Sequence, residues 1–221
     1  MRLNKFIAQA TGLSRRAADT IIGEKRVQLN GSIAQLGDQA ESGDSVLLDG
    51  KKISNSEQSV ITITLNKPTG YVVSRNGQGS KTVYDLLPAS MQSLKPVGRL
   101  DKNSSGLLLL TNDGELANQL THPSQHKIKI YELALDKPLL PLHRQMIDDI
   151  GITLADGLSK LSLERLKDND DRQWIVRMHE GRNRQIRRTF EALGYRVTRL
   201  HRVQFSTYHL DRLAVGEYRR V

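Results

Sequence analysis

The sequence contains no cysteine. That excludes disulfide bonds, thiolate nucleophiles and sulfur-ligated zinc together, and it is the composition expected of a chain working in a reducing cytoplasm. Long apolar runs are missing too. The longest aliphatic stretch, Leu107 to Leu110, is far short of the roughly 20 residues a membrane-spanning helix needs. Arg2, Lys5, Arg15 and Arg16 interrupt the region where a secretory signal would carry its apolar segment, so none is expected. No metal-ligand set is legible: His122 and His126 stand four apart, but Pro123 between them disfavours a shared helical face and no cysteine or nearby acid completes a site. Gly77-Gln78-Gly79-Ser80-Lys81 lacks the spacing and the strand-to-helix frame of a nucleotide-binding P-loop and reads as a flexible loop.

Positive charge, by contrast, is in excess: the 221 residues carry a net charge of +9. It is concentrated in two windows. Up to Asn30, Arg2, Lys5, Arg15, Arg16, Lys25 and Arg26 face only Asp19 and Glu24. From Arg177 to Arg202, eight arginines face only Glu180 and Glu191. A solvated surface would intersperse signs, whereas segregated arginine matches a polyanion, because guanidinium forks fit phosphate oxygens and counterion release drives association.

At the amino terminus, Leu3, Phe6, Ile7 and Ala10 recur at helical spacing, and Thr11-Gly12 ends that helix. Ser14 is an N-cap for a second helix with Ala17, Ala18, Ile21 and Ile22 on its inner face. Val27-Gln28-Leu29, the Asn30-Gly31 turn and an extended piece through Ile33 read as a hairpin, and Val46-Leu47-Leu48 with Asp49-Gly50 adds a strand and turn. Two helices presenting Arg2, Lys5, Arg15 and Arg16, followed by small strands, resemble an S4 RNA-binding domain. Ser14-Arg15-Arg16 and Arg26-Val27-x-x-Asn30-Gly31 carry the likeness, which implies RNA contacts at Arg2, Lys5, Ser14, Arg15, Arg16, Lys25, Arg26 and Asn30. The polar, serine-rich stretch from Lys51 to Ser59 is the expected interdomain linker, dividing the chain into residues 1–55 and 60–221.

Past Val60, Ile61, Ile63 and Leu65 alternate with threonines, predicting a half-buried strand that ends at Asn66-Lys67-Pro68-Thr69-Gly70. Tyr71-Val72-Val73 reads as extended and Thr82 to Leu87 as a short helix. Pro96-Val97-Gly98-Arg99-Leu100-Asp101 then puts an aspartate between a glycine-bounded turn and the apolar run at Leu107, a rigid base for a reactive carboxylate, although an aspartate in such a loop is ordinarily a turn residue or an ion-pair partner. Asn112-Asp113-Gly114-Glu115 has the N-cap and third-position acid of a capping box for a helix through Leu120. Lys129, Tyr131, Leu133 and Leu135 share one face of the next strand, so Tyr131 sits where that face turns from charged to buried. Leu140 to Ile150 reads as helix. Lys160 to Leu166 and Arg172 to Met178 read as a hairpin with a solvated acidic tip, and Val197 to Phe205 as a strand before a short tail. In Gly181-Arg182-Asn183-Arg184-Gln185-Ile186-Arg187-Arg188, Ile186, Phe190 and Leu193 form the inward face of a helix, Arg184 and Arg188 face outward, and Arg187 lies at the boundary. Arginines crowd the positive end of that helix, which points to an anionic partner there.

Gly98-Arg99-Leu100-Asp101, the Lys129-x-Tyr131 strand, Gly181-Arg182-Asn183-Arg184-Gln185-Ile186-Arg187-Arg188, the Lys67-Pro68-x-Gly70 loop and the S4-like amino terminus occur together and in order. In that combination, over nearly its whole length, the chain resembles the ribosomal RNA pseudouridine synthases of the RsuA and RluB/RluE/RluF type. The resemblance implies an α+β fold, with a small S4-like (α-L) domain and a catalytic domain on a mixed, mostly antiparallel sheet flanked by helices. It implies that Asp101 is the catalytic aspartate, that Tyr131 contacts the target base and that Arg187 pairs with the aspartate. Arg99 would help hold the flipped nucleotide and the space it left, and Lys129, Arg182, Asn183, Arg184 and Ile186 would border the substrate.

Isomerising uridine breaks an N-glycosidic bond, turns the base and forms a C–C bond, with no net redox change and no transferred group, so no cofactor or metal is expected. The base must leave its stack at a cost of a few kcal/mol, which two basic patches gripping the RNA backbone can offset. Asp101 would act as nucleophile or as base at the sugar, and Tyr131 would offer a stacking surface with a polar tip. The expected partner is ribosomal RNA or a ribosomal assembly intermediate, with large-subunit RNA favoured over small-subunit RNA because Gly181-Arg182-Asn183-Arg184 is closer to RluB-type sequences. A cytoplasmic monomer is expected. The rival reading is a non-enzymatic S4-type RNA-binding or ribosome-assembly factor.

Overall fold

The structure, a computed structural model, describes residues 1–54 and 59–221. Its contacts divide the chain into two units, Met1–Ser59 and Val60–Val221.

In the first unit the apolar spacing forms helices α1 (Leu3–Thr11) and α2 (Arg15–Gly23). Gly12 caps α1 in the left-handed conformation, at φ 77°, which a glycine adopts without strain. The Ser14 hydroxyl caps α2 by accepting from the Ala17 N–H at 3.1 Å, and losing such a cap costs about 1 kcal/mol. Strands β1 (Val27–Leu29), β2 (Ser32–Ile33), β3 (Val46–Leu48) and β4 (Lys51–Ile53) form an antiparallel sheet in the order β2-β1-β3-β4. Leu3, Ile7, Ala18, Ile22, Val27 and Val46 are the core between helices and sheet. The stretch read as a linker therefore begins with a strand: the Asp49-Gly50 turn, with φ 48° and 76°, folds Lys51–Ile53 back onto β3 and seats Ile53 against that core. Residues 55–58 of the expected linker lie outside the described residues.

The second unit contains β5 (Thr62–Lys67), β6 (Lys95–Val97), β7 (Ser105–Thr111), α3 (Gly114–Thr121), β8 (Lys129–Leu135), α4 (Pro141–Gln145), β9 (Ile152–Leu154), β10 (Gly157–Ser159), β11 (Ser162–Arg165), β12 (Gln173–Met178), α5 (Gln185–Glu191), β13 (Val197–Phe205), β14 (Tyr208–His209) and β15 (Tyr218–Arg220). Among the described residues, nine of these strands make one sheet, in the order β11-β12-β8-β13-β7-β5-β15, with β14 on β13 and β6 on β7. Among the described strand pairs of this sheet only β13–β7 is parallel, so the sheet is mixed and mostly antiparallel. Leu107 to Leu110 run through its middle and are fully buried, because both faces are covered. Leu108 and Leu110 pack with Ile63, Leu65 and Tyr131, while Leu107 and Leu109 pack with Val97, Leu120 and Phe205. A fully buried leucine contributes about 1.5–3 kcal/mol, so this strand anchors what precedes it.

Several sequence expectations change here. β5 is buried along its whole length, not on one face, since it lies between β7 and β15. Its threonines are accommodated by internal hydrogen bonds, Thr62 Oγ1 to Thr111 Oγ1 at 2.9 Å and Thr64 Oγ1 to Arg219 O at 3.3 Å. The carboxy-terminal tail returns as β15 to pair with β5. Tyr71-Val72-Val73 makes a single bridge, from Val72 to Thr82, in place of a strand, and Val83–Leu86 is a 3-10 turn. The helix after Pro141 passes into a π turn at Met146–Ile150. The cap of α3 is Asp113, which accepts from Glu115 and Leu116, whereas Asn112 Oδ1 accepts from the Ile61 N–H. The acidic tip is engaged as well: Asp171 binds Arg165 and Asp170 accepts from Gln173. The separate β9–β10 hairpin was not legible in the sequence.

Candidate active site

One residue makes the approach to the site possible. Gly106 lies opposite Arg202 in the parallel β7–β13 pair, with φ 101°, and a Cβ there would sit 2.2 Å from the Arg202 carbonyl oxygen. Glycine thus lets the two central strands close immediately after the Asp101 turn.

The turn itself is fastened through its backbone. Lys67, at the end of β5, is fully buried, and its ammonium donates to the carbonyls of Asp101 (3.1 Å), Ser104 (2.7 Å) and Pro68 (2.9 Å). The Gly70 N–H donates to Lys102 O at 2.8 Å, and the Arg187 guanidinium to Asn103 O at 2.8 Å. Four consecutive carbonyls, 101 to 104, are therefore held by donors from the Lys67–Gly70 loop and from Arg187, with the Ser104 N–H closing the turn on Asp101 O. Burial pushes the Lys67 amine down to about 8, with the charge of Asp101 opposing the shift.

Fixed in this way, the Asp101 side chain faces a cleft of about 890 Å³ that also contains Tyr131, Arg99, Lys129, Ile186, Arg187 and the Arg182-Asn183-Arg184 run. The structure thus gathers every residue suggested for this site into one cleft. Tyr131 is 7% exposed, and its hydroxyl has no hydrogen-bond partner among the described residues. Ile186 is buried on α5 and forms part of the apolar wall.

The arginines divide differently from what the sequence implied. The ion pair on Asp101 comes from Arg184, at 3.5 Å, with both side chains substantially exposed. Arg184 adopts a left-handed conformation, φ 47°, just ahead of α5, a local strain of about 1–2 kcal/mol that directs its side chain back to the aspartate. Arg187, expected to pair with Asp101, instead donates to Val197 O, Asn103 O and, at 3.4 Å, Ser104 Oγ. Burial and the neighbouring Arg184 disfavour its charge while Asp101 favours it. Arg187 therefore ties α5 to the backbone beneath the aspartate. Arg182 is spent internally on Asp156, Leu158 O and Glu180, and Arg188 binds both oxygens of Asp156. Buried Gln185 docks α5 on β10 through Ser159, and Thr189 meets the same hydroxyl at 2.8 Å. Lys67, Asp156 and Gln185 were not assigned from the sequence. Lys67 and Gln185 stood within quoted motifs without a role, and Asp156 left no signal.

In the amino-terminal unit, Arg2, Arg15 and Arg16 are exposed and without ion-pair partners among the described residues, Lys25 is exposed and Lys5 is half-buried. Arg26 and Asn30 are not free for RNA as expected. Arg26 is bidentate on Asp49 and also reaches Glu24, and Asn30 bonds Asp44 and the Ser45 N–H, so both brace the sheet.

A fastened aspartate, a tyrosine ring and several arginines thus line one cleft of the second unit. Residues 61–192 match the RNA pseudouridylate synthase family, and residues 1–46 match the S4 domain. The chain belongs to the RNA pseudouridylate synthase family. It is 37% identical over 228 residues to the ribosomal large subunit pseudouridine synthase B of Bacillus subtilis, covering 100% of this chain and 91% of that protein. It is 38% identical over 221 residues to the protein of the same name from Xylella fastidiosa, covering 96% of this chain and 46% of that protein, so the chain spans about half the length of that relative. A crystal structure of a pseudouridylate synthase superposes with a TM-score of 0.71 at 32% identity, covering 100% of this chain and 96% of that one. Among the described residues, no helix is long and apolar enough to cross a membrane.

Proposed function

We propose that this protein isomerises uridine to pseudouridine in ribosomal RNA, with large-subunit RNA as the substrate, and that Asp101 is the catalytic residue. The observation that carries this reading is the Asp101 carboxylate held over a cleft shared with Tyr131, in a chain of this family. The substrate preference is supported by the similarity to the large subunit synthases of Bacillus subtilis and Xylella fastidiosa.

The reaction breaks the N1–C1′ bond and forms a C5–C1′ bond. The proton on C5 leaves and N1 gains one, so the formula is unchanged and no oxidant is needed. Uridine extruded from its stack enters the cleft, where the Tyr131 ring meets the uracil and the Asp101 carboxylate meets the sugar, as nucleophile or as base. The turn that carries Asp101 is preorganised by Lys67, Gly70 and Arg187, so alignment costs little when RNA binds. Arg184 balances the aspartate until substrate arrives. Arg2, Arg15 and Arg16 offer the amino-terminal unit a grip on backbone phosphate.

Purified protein incubated with rRNA transcripts is expected to form pseudouridine without added metal or nucleotide. Tyr131→Phe keeps the stacking ring and removes the polar tip, so it is expected to slow the reaction about tenfold, the worth of one hydrogen bond, with RNA affinity unchanged. A Tyr131→Phe enzyme with the wild-type rate would reduce Tyr131 to a packing residue.

A further inference from the structure

At the Lys129 end of the cleft, β8 and β13 set Arg202 opposite Tyr131 and Phe205 opposite Lys129. Arg202 is 2% exposed, donates through Nε to Leu107 O at 2.8 Å and lies 5.0 Å from the Phe205 ring centre. It has no acid partner among the described residues, and its Nη2 is buried without an acceptor. Lys129 Nζ donates to Lys127 O (3.1 Å) and His179 O (3.2 Å), which leaves one of its three N–H groups unused. Its Nζ lies 5.5 Å from the same Phe205 ring centre. The two cations oppose each other: burial first, then the charge of Arg202, hold the Lys129 amine below the usual lysine range, with Glu180 working the other way. The Glu180 carboxylate is itself committed to Arg182 and Gln185.

We propose that Lys129 and Arg202, stacked about Phe205, form a subsite for one backbone phosphate of the bound RNA; this rests on the RNA-modifying reading above. Two cations sharing one aromatic ring without a counter-charge are costly in the free protein, because a buried charge needs an opposite partner as well as hydrogen bonds. A phosphate supplies both a formal negative charge and several acceptor oxygens, whereas a uracil carbonyl supplies an acceptor alone. The position fits as well. With the base against Tyr131 and the sugar toward Asp101, the covalent continuation of the same nucleotide is a phosphodiester, and Lys129 is two residues from Tyr131 on the same strand face.

The test is the salt dependence of rRNA-fragment binding by the full chain, measured for wild type, Lys129→Met and Arg202→Lys, with a melting curve for each. Loss of one phosphate contact is expected to reduce the slope of log K against log salt by about 0.7–0.9 in Lys129→Met, while Arg202→Lys, which keeps the cation, retains the wild-type slope. A purely structural role for Lys129 would lower affinity at every salt concentration with the slope unchanged, and that result overturns the subsite. Should Arg202→Lys fail to fold, the Lys129→Met slope decides alone. Pseudouridine yield in the same samples separates the two levels: wild type that modifies rRNA beside an unchanged Lys129→Met slope removes only the subsite, whereas wild type that modifies no rRNA removes the catalytic reading, with the slope still deciding whether phosphate binds here.

Discussion

Asp101→Asn is expected to abolish pseudouridine formation, lowering kcat by at least about 10⁴-fold, while rRNA affinity stays within about twofold and the protein melts at nearly the wild-type temperature. The size follows from the role proposed for Asp101, since without its carboxylate the remaining residues would bind the RNA but lack the group assigned to the sugar. The lack of other effects follows from the structure. The Asp101 side chain contacts the rest of the protein through a 3.5 Å pair with Arg184, both partly in solvent, and such pairs contribute about 0–1 kcal/mol. The turn is held by backbone carbonyls, which asparagine leaves untouched. A variant that binds RNA normally and still isomerises uridine at the wild-type rate would remove Asp101 from the chemistry.

Lys67→Met is expected to cost about 10²-fold in kcat/KM although Lys67 is buried and does not line the cleft. Methionine fills the volume but takes the ammonium donor from the carbonyls of Pro68 and Ser104, each a penalty of about 1–3 kcal/mol where buried, and leaves the Asp101 carbonyl with the Ser104 N–H alone. The turn then shifts to recover hydrogen bonds, and a displacement of about 1 Å at a reacting group is enough for that loss. The same lysine gives a pH signature. With its amine pushed down to about 8 in the folded protein against an ordinary value of 10.5, the group is protonated and donates three N–H bonds below pH 8, and loses one donor above it. The activity of wild type is therefore expected to fall as pH rises through about 8, and the Lys67→Met profile to lack that step. Stability moves in the opposite direction. The unfolded chain holds the extra proton between 8 and 10.5, so this group's contribution to stability is greatest above 10.5 and is lost as pH falls through 8. Activity and stability that both fall with rising pH, relative to Lys67→Met, would contradict the assignment.

The placement of Asp101 was legible because two signals coincide there. A glycine-bounded turn precedes a run of leucines too continuous for a one-faced strand, and that run is the buried centre of the sheet. The S4-like helices were legible because apolar spacing and caps agree at Gly12 and Ser14. β5 was misread as half-buried because threonine counts as polar in a pattern, yet its short hydroxyl is satisfied inside the sheet by Thr111 or a backbone carbonyl. Strands of three residues, such as β4 and β15, carry too few positions to show a period, and their pairing is decided by turns and neighbours. The partners of the individual arginines were not legible. Helical spacing separates Arg187, at the boundary, from Arg184 and Arg188, facing outward, but which arginine meets Asp101, which holds a carbonyl and which is neutralised by Asp156 depends on acceptors contributed from distant parts of the chain.

The most direct measurement is a map of pseudouridine positions in ribosomal RNA from cells lacking this protein, complemented with the wild-type chain or with Asp101→Asn. The expected result is at least one position in large-subunit RNA that loses its pseudouridine in the deletion, regains it with wild type and stays uridine with Asp101→Asn. Identical maps in all three strains, or a position restored equally by both chains, would contradict an enzyme that works through the Asp101 carboxylate.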